Sequence, residues 1–237
     1  MGKSREGGFP HENDALSVIV AAFAPLTGKQ ILDVGCGTGG LAGSLSTRGA
    51  KVTGVDSNTE ALSVARRAVP TGTFRAAAAE AMPFKDDSFD GAVFLNSLHH
   101  VPEAAMHRAL REAARVVEPA GPIVIIEPLA EGSFFSALRQ VEDETNVRTS
   151  AQEHIRRALE GGTFEQLSRA DYLRREHFAG LDQFLARIVA VDPARAKVVA
   201  QRCPEVEAAF RRYARDAADG RMTLEQPMRA HVLTARV

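Results

Sequence analysis

Apolar and polar positions follow two different periods along the first half of this chain. Short apolar runs, bounded by glycine, proline or charged residues, predict buried strands. They lie at residues 31–34, 51–55, 72–77, 89–95 and 123–126. The segments between them carry apolar residues at helical spacing, most regularly at residues 103–117. Strands that alternate with helices predict an α/β domain built on a parallel sheet, with helices on both of its faces.

The pattern changes after residue 128. Strand-like runs give way to helical spacing up to residue 170, and Gly161 and Gly162 interrupt a helix that begins near residue 150. We expect this segment to form a helical cap inserted over the crevice at the edge of the sheet. Two further strands are predicted at residues 172–178 and 230–236, the last one antiparallel.

Helices complete the prediction. Asp14 is placed to cap a helix at residues 15–23, and two further helical segments lie at residues 181–189 and 193–217. The chain then divides within one structural domain into a core at residues 1–128, a cap at residues 129–170 and a closing segment at residues 171–237.

Composition narrows the class of protein. The 237 residues are 45% hydrophobic and 25% charged, and the formal net charge is −1. A chain with this charge balance is not expected to present a basic surface to a nucleic acid. Residues 1–10 lack the apolar core of a signal peptide, and the apolar run at residues 15–26 is too short to span a bilayer. Because Cys36 and Cys203 are the only cysteines, the sequence predicts no disulfide framework, no paired-cysteine metal site and a cytoplasmic location.

The sequence ILDVGCGTGG at residues 31–40 joins a predicted strand to a helix through a glycine-rich turn. Such a turn presents free helix N–H groups beside a gap that no side chain fills, which suits a nucleotide. The G-x-G-x-x-G spacing is typical of dinucleotide-binding folds, and Asp56 follows at the distance of a ribose-binding acid. Asp33, however, places a negative charge two residues before the first glycine, and that charge favours a cationic ligand over a pyrophosphate.

Polar side chains also follow other predicted strands. Asn96, His99 and His100 come after the fourth strand, and Glu127 ends the fifth. In an open α/β sheet, ligands bind at the carboxyl ends of the strands. We therefore expect these groups to lie beside the ligand that the glycine turn holds.

Further stretches share a resemblance with the glycine turn. The sequences AEAMPF at residues 79–84, DDSFD at 86–90 and LHH at 98–100 resemble motifs of the class I S-adenosylmethionine-dependent methyltransferases, as does the turn itself. The likeness is to members that act on small molecules, of the type found in ubiquinone and menaquinone biosynthesis. It covers about residues 26–128 and implies a Rossmann-like, doubly wound, mostly parallel sheet of seven strands.

The resemblance also implies S-adenosyl-L-methionine as cofactor and S-adenosyl-L-homocysteine as product. The cofactor-binding residues that it implies are Asp33, Gly35, Cys36, Gly37, Gly39, Asp56, Ser57, Ala79, Glu80 and Asn96. One position departs from the family, because Ala78 stands where an aspartate commonly accepts a hydrogen bond from the adenine amino group. Glu80 or the backbone of Ala79 is left to replace that contact.

The implied reaction is in-line transfer of a methyl group to a small-molecule acceptor. The sequence itself shows no metal-ligand spacing, and its near-neutral charge predicts neither a nucleic acid nor a membrane as partner. The acceptor atom stays open among oxygen, nitrogen, carbon and sulfur. If it carries a proton, the candidate bases are His100, His99 and Glu127, with His100 preferred and His99 expected to pack. An NAD-dependent oxidoreductase and a module that binds the cofactor without transferring the methyl group remain as alternatives.

Overall fold

The computed structural model describes residues 15–236, so the predictions for Asp14 and for residues 1–10 lie outside the described residues. The strands are β1 (Gln30–Val34), β2 (Lys51–Asp56), β3 (Thr73–Ala76), β4 (Gly91–Leu95), β5 (Ile123–Pro128), β6 (Phe164–Phe178), β7 (Arg215–Asp216) and β8 (Met222–Ala235). The helices are α1 (Ala15–Phe23), α2 (Gly40–Ser46), α3 (Thr59–Ala68), α4 (Glu103–Val116), α5 (Ser133–Leu138), α6 (Thr145–Glu160), α7 (Leu181–Val191), α8 (Arg195–Gln201) and α9 (Cys203–Tyr213), with a 3-10 turn at Leu98–His100.

The strands form one sheet in the order β3-β2-β1-β4-β5-β8-β6, and the short β7 pairs with β8 beside this path. β1 to β5 are parallel, whereas β8 runs antiparallel to both β5 and β6. The predicted doubly wound, mostly parallel sheet is therefore confirmed. The strand order reverses between β1 and β4, and the crevice at such a switch point is where this architecture binds ligands.

Two apolar cores cover the two faces of the sheet. On one face α1, α2 and α3 bury Ile19, Leu45 and Leu62 completely, and on the other α4 and α6 bury Leu110 and Ile155. All six residues of β5 are buried, as expected for a strand that helices cover on both faces. This packing fixes the carboxyl ends of β1, β4 and β5 relative to one another.

A third apolar cluster lies around the outer ends of β6 and β8. Phe134 of α5, Phe184 of α7 and Phe210 of α9 meet there, with ring centroids 5.8 Å apart for the first pair and 5.2 Å apart for the second. Aromatic packing of this kind contributes beyond the burial of area. It holds α7 beside the crevice.

The second half of the chain differs from the sequence prediction. β6 begins at Phe164 instead of residue 172, and β8 begins at Met222 instead of residue 230. Of the two described helices in residues 129–170, α6 packs against α4 on a face of the sheet, and only α5 lies in the third cluster. The helix that lines the crevice is α7, which lies outside the predicted cap. β6 was mispredicted because it is an edge strand with an exposed, polar middle, which lacks the apolar alternation of a half-buried strand.

Candidate active site

The glycine turn after β1 forms the floor of the site. Gly35 has a φ of +73°, and a Cβ at this position would lie 2.5 Å from the Cβ of Ser97, so any other residue would clash. Gly37 has a φ of +51° and faces open space. The N–H group of Gly35 donates to the carbonyl oxygen of Val55 at 2.8 Å, which ties the turn to β2.

A cavity of about 810 Å³ opens above this turn, at the carboxyl ends of β1, β2 and β4. Seven of the ten predicted cofactor-binding residues line it, namely Gly35, Gly37, Asp56, Ser57, Ala79, Glu80 and Asn96. The structure thus brings the separate sequence motifs to one place. We call this space the cofactor cavity.

The other three predicted cofactor-binding residues do not line the cofactor cavity. Cys36 turns its sulfur toward Gly54 and Phe74, and burial raises the pKa of its thiol to about 12, so it acts as a neutral packing group. Gly39 precedes α2 and lies against Ala65. The resemblance placed Cys36 and Gly39 in the right turn, but the turn directs both away from the ligand space.

Asp33 lies beneath the turn and is 2% exposed. Burial, and then the charge of Asp56, raise the pKa of Asp33 to about 7, and a backbone hydrogen bond from Ala42 acts in the opposite direction. Among the residues that the structure describes, its Oδ2 atom has no hydrogen-bond partner, and neither does the buried Oδ1 atom of Asn96 at the end of β4. The Asn96 side chain lines the cofactor cavity and can accept from a cationic N–H group, and the buried carboxylate of Asp33 favours a ligand of positive charge.

Asp56 ends β2 and connects two turns. Its Oδ2 atom accepts a hydrogen bond from the Gly37 N–H group at 2.8 Å, and its Oδ1 atom accepts one from Asn58 N–H at 2.8 Å. Asn58, not Asp56, caps α3, because its side chain accepts from the N–H groups of Glu60 and Ala61. The carboxylate of Asp56 therefore keeps further lone pairs for a ligand in the cofactor cavity.

The far end of the cofactor cavity is formed by residues 77–80. Ala78 makes an isolated bridge with Ala81, and Ala77 N–H donates to the Asp56 carbonyl oxygen at 3.1 Å. Within the described part of the chain, the Glu80 carboxylate has no hydrogen-bond partner. The structure therefore leaves one free acid beside the position where the family commonly has aspartate.

A second cavity of about 170 Å³ adjoins the first, and we call it the acceptor cavity. Asn96, His100 and Val191 line both cavities. The remaining wall combines apolar and charged side chains: His99, Pro128, Phe134, Leu138, Glu144, Arg148, Arg174, Arg187, Ile188 and Arg195. α7 thus separates the two spaces at their outer edge through Val191.

Glu127 is fully buried and lines neither cavity. Its Oε1 atom accepts hydrogen bonds from the N–H groups of Ser97 at 3.0 Å and Leu98 at 2.8 Å. Its Oε2 atom forms a short hydrogen bond with Nδ1 of His99. Glu127 therefore cannot contact a substrate, which corrects its place among the candidate bases; instead it fixes the turn after β4 and the ring of His99.

The two histidines have different surroundings. His99 is 4% exposed and lines the acceptor cavity, and among the residues that the structure describes none hydrogen-bonds to its Nε2 atom. His100 is solvent-exposed on its outer side and lies on the wall between the cavities, with its ring centroid 4.0 Å from that of His99. Burial of the inner side, and then the charge of His99, lower the pKa of His100.

Sequence reasoning missed most of the acceptor cavity. Its arginines lie on α6, α7, α8 and β6, and each resembles an ordinary surface charge in the sequence. No motif spacing connects them, because the fold brings them together across more than forty residues of chain. The apolar spacing of α5 and α7 was visible, but it does not show which face meets the crevice.

None of the helices in residues 15–236 is long and apolar enough to cross a bilayer. In the same part of the chain, His, Cys, Asp and Glu side chains nowhere group in threes as a metal site requires.

Comparison with known proteins agrees with this geometry. A family model described as a methyltransferase domain matches residues 31–121. The ubiquinone biosynthesis O-methyltransferase of Paracidovorax citrulli is 33% identical over 152 residues, which cover 62% of this chain and 59% of that protein. The demethylmenaquinone methyltransferase of Clavibacter sepedonicus is 31% identical over 185 residues, which cover 72% of this chain and 74% of that protein.

A solved structure shows the same fold. The YcgJ protein of Bacillus subtilis superimposes with a TM-score of 0.64 at 19% sequence identity, covering 93% of this chain and 98% of that one. Together with the sequence matches, this places the chain in the family of class I S-adenosylmethionine-dependent methyltransferases. The match spans about three fifths of the length of the Paracidovorax citrulli relative.

Family membership implies S-adenosylmethionine as the cofactor, and the residues present fit it. The ligand would bring an ammonium group to the unpartnered oxygen of Asn96 and ribose hydroxyls to Asp56, and its positive charge suits the buried carboxylate of Asp33 beneath the turn. It has no phosphate to be repelled by Asp33. The prediction of the family is confirmed, and the acid before the first glycine was the residue that separated it from the dinucleotide-binding alternative.

Proposed function

We propose that this protein transfers the methyl group of S-adenosylmethionine to a hydroxyl group of a small aromatic acceptor. The observation that carries the proposal is the meeting of two cavities at Asn96 and His100, one lined by cofactor-type residues and one lined by a histidine that a buried glutamate orients. Two ligands held in adjoining spaces satisfy the main requirement of a displacement reaction, which is proximity and alignment.

In this proposal the cofactor cavity orients the donor. Asp56 accepts hydrogen bonds from the ribose hydroxyls, Asn96 Oδ1 accepts from the ammonium group, and Glu80 accepts from the adenine amino group. The bound cofactor supplies a methyl group on a positively charged sulfur, which is an activated leaving group. The protein adds position and the exclusion of water, which Val191 and Ala190 of α7 provide at the outer edge.

The proton is removed by His99. Because a carboxylate only accepts hydrogen bonds, the contact with Glu127 requires the proton of a neutral His99 to be on Nδ1. Nε2 then carries a lone pair toward the acceptor cavity. When the methyl group passes to the acceptor oxygen, its bond to sulfur would break and the electron pair would stay on the neutral thioether of S-adenosylhomocysteine. The hydroxyl proton then passes to Nε2 of His99, and Glu127 stabilises the resulting imidazolium. This assigns the base to His99 and leaves His100 to position the acceptor at the boundary.

The acceptor class rests on cavity size and on the relatives. A space of 170 Å³ is close to the ~150 Å³ of a cavity that holds benzene, so it admits one substituted ring. Phe134, Pro128 and Leu138 provide apolar contacts for the faces of that ring. One relative is named as an O-methyltransferase of ubiquinone biosynthesis, which supports an oxygen atom as the acceptor, and another is named for methylation of demethylmenaquinone, which supports a quinone-type ring. We place the reaction in the cytoplasm.

The proposal is tested by incubating the purified protein with S-adenosylmethionine and catechol-type acceptors and measuring S-adenosylhomocysteine by mass spectrometry. We expect product only when both ligands are present. A protein that binds S-adenosylhomocysteine but forms none with any acceptor is a binding module. A thermal shift with NAD and none with S-adenosylhomocysteine would instead support the oxidoreductase.

A further inference from the structure

Four arginines line the acceptor cavity, and the proposed proton transfer to His99 uses none of them. Two of its four arginines are neutralised within the protein. Arg148 donates to Glu144 and to Gln226, and Arg195 donates to Glu142 and Glu144. These two side chains are 5% and 8% exposed, and their hydrogen bonds to carboxylates offset the free-energy cost of burying their charges.

The other two arginines share one carboxylate. Nη2 of Arg174 lies 3.1 Å from Oε1 of Glu176, and Nε of Arg187 lies 3.1 Å from Oε2 of the same residue. The contact with Arg174 is close but badly aligned, since Oε1 of Glu176 forms no hydrogen bond with any residue that the structure describes. Two cations facing one anion leave one positive charge unbalanced at this end of the cavity.

Arg174 also has an unused donor. Its buried Nε atom has no hydrogen-bond partner within residues 15–236, which is costly for a charged group and calls for an explanation. Burial lowers the pKa of Arg174, the charge of Glu176 acts against this shift, and the charge of Arg187 adds to it. The guanidinium also lies 5.8 Å from the centroid of the Phe134 ring, a contact that leaves its N–H donors free to bind an acceptor. A ligand that accepts hydrogen bonds from a guanidinium would supply what is missing.

We propose that the acceptor carries a carboxylate, which binds Arg174 and Arg187 while its ring hydroxyl faces His99. The inference rests on the proposed function and narrows its substrate to a hydroxybenzoate-type ring. A guanidinium presents paired donors that match a carboxylate in geometry as well as in charge. Arg174, Arg187 and His99 line the same cavity, so a ring whose hydroxyl faces His99 can place its carboxylate at the end where one arginine charge is unbalanced.

The test compares two ligands that differ only in charge. We would measure the binding of 3,4-dihydroxybenzoate and 3,4-dihydroxybenzamide to the protein saturated with S-adenosylhomocysteine, by titration calorimetry. The carboxylate is expected to bind about 10- to 100-fold more tightly than the amide. Arg174→Met should reduce this preference to less than about threefold, and Arg174→Lys should keep part of it because the charge remains.

A matched control comes from the same strand. Arg169 is exposed and pairs with Asp171, so Arg169→Met should leave the preference unchanged. Unchanged affinity of each variant for S-adenosylhomocysteine shows that it is folded. Equal binding of the two ligands by the wild-type protein, or a preference that survives Arg174→Met, overturns the inference. So does the failure of both ligands to bind.

The inference and the proposed function fail in different ways. If neutral catechol is methylated and no carboxylate preference is found, methyl transfer stands and the anion site is wrong. If the carboxylate binds with the expected preference but no acceptor yields S-adenosylhomocysteine, the anion site stands and the enzymatic function is wrong.

Discussion

Replacing Glu127 with glutamine changes one charge at the centre of the site while keeping its shape. The amide oxygen of Gln can still accept from the N–H groups of Ser97 and Leu98, which lie 3.0 and 2.8 Å from Oε1 in the wild type. The amide nitrogen then faces Nδ1 of His99, where the carboxylate was. Because the amide nitrogen donates, Nδ1 must accept, and the ring proton moves to Nε2.

A ring with its proton on Nε2 cannot take a proton from the acceptor. A general base contributes typically about 10²–10⁴-fold, so Glu127→Gln should lower kcat by that range, whereas the affinity for S-adenosylhomocysteine should stay within about threefold. Turning three charge-assisted hydrogen bonds into neutral ones costs at most about 3 kcal/mol, since each loses about 1 kcal/mol. The melting temperature should therefore fall by at most about 6–12 °C.

The assays are the rate of S-adenosylhomocysteine formation, its binding by calorimetry, and thermal unfolding. Glu165→Gln is the matched control, because Glu165 is an exposed residue of β6 away from both cavities. A Glu127→Gln variant that is destabilised as expected but retains kcat within about threefold would refute the account, since Glu127 would then be purely structural.

Three further predictions concern the cofactor cavity. Asp56→Ala should weaken S-adenosylhomocysteine binding about 10- to 100-fold in calorimetry, and the variant should no longer prefer the ribose ligand over its 2′-deoxy analogue; a retained preference contradicts ribose binding. The pKa of Asp33 is raised to about 7 and a cationic ligand prefers the carboxylate, so affinity for S-adenosylmethionine should rise with pH up to that value, by at most about tenfold per unit, and then level off. Asp33→Asn, or the use of methylthioadenosine, which lacks the ammonium group, should remove the pH dependence. Glu80→Ala should weaken the binding of S-adenosylhomocysteine about tenfold and leave the binding of S-inosylhomocysteine, which lacks the adenine amino group, unchanged. Adding Ala78→Asp to this variant should restore the affinity for S-adenosylhomocysteine. An equal loss of affinity for both ligands would place Glu80 away from the adenine.

The sequence was informative where local patterns determine structure. The alternation of buried strands and amphipathic helices predicted β1 to β5 and α1 to α4 with small errors at their ends, because each of these elements has a complete apolar face of its own. The glycine turn and Asp56 were recognisable because a sharp turn and a strand end demand particular residue types.

The acceptor side could not be read in the same way. β6 is polar over most of its length because it is an edge strand, and Arg174 and Arg187 are separated from His99 by more than seventy residues. The sequence showed that Glu127 is an acid at the end of β5, but its role depends on its hydrogen bond with His99, which follows a different strand. Such pairing is set by the packing of the sheet and leaves no spacing in the sequence.

The most direct test of the account is a comparison of two neighbouring variants. We would measure the transfer of an isotopically labelled methyl group from S-adenosylmethionine to a dihydroxybenzene acceptor by the wild type, His99→Ala and His100→Ala. The account predicts that His99→Ala loses about 10²–10⁴-fold in kcat and that His100→Ala keeps kcat within about tenfold. A kcat that falls by that range in His100→Ala and stays near the wild-type value in His99→Ala would contradict it.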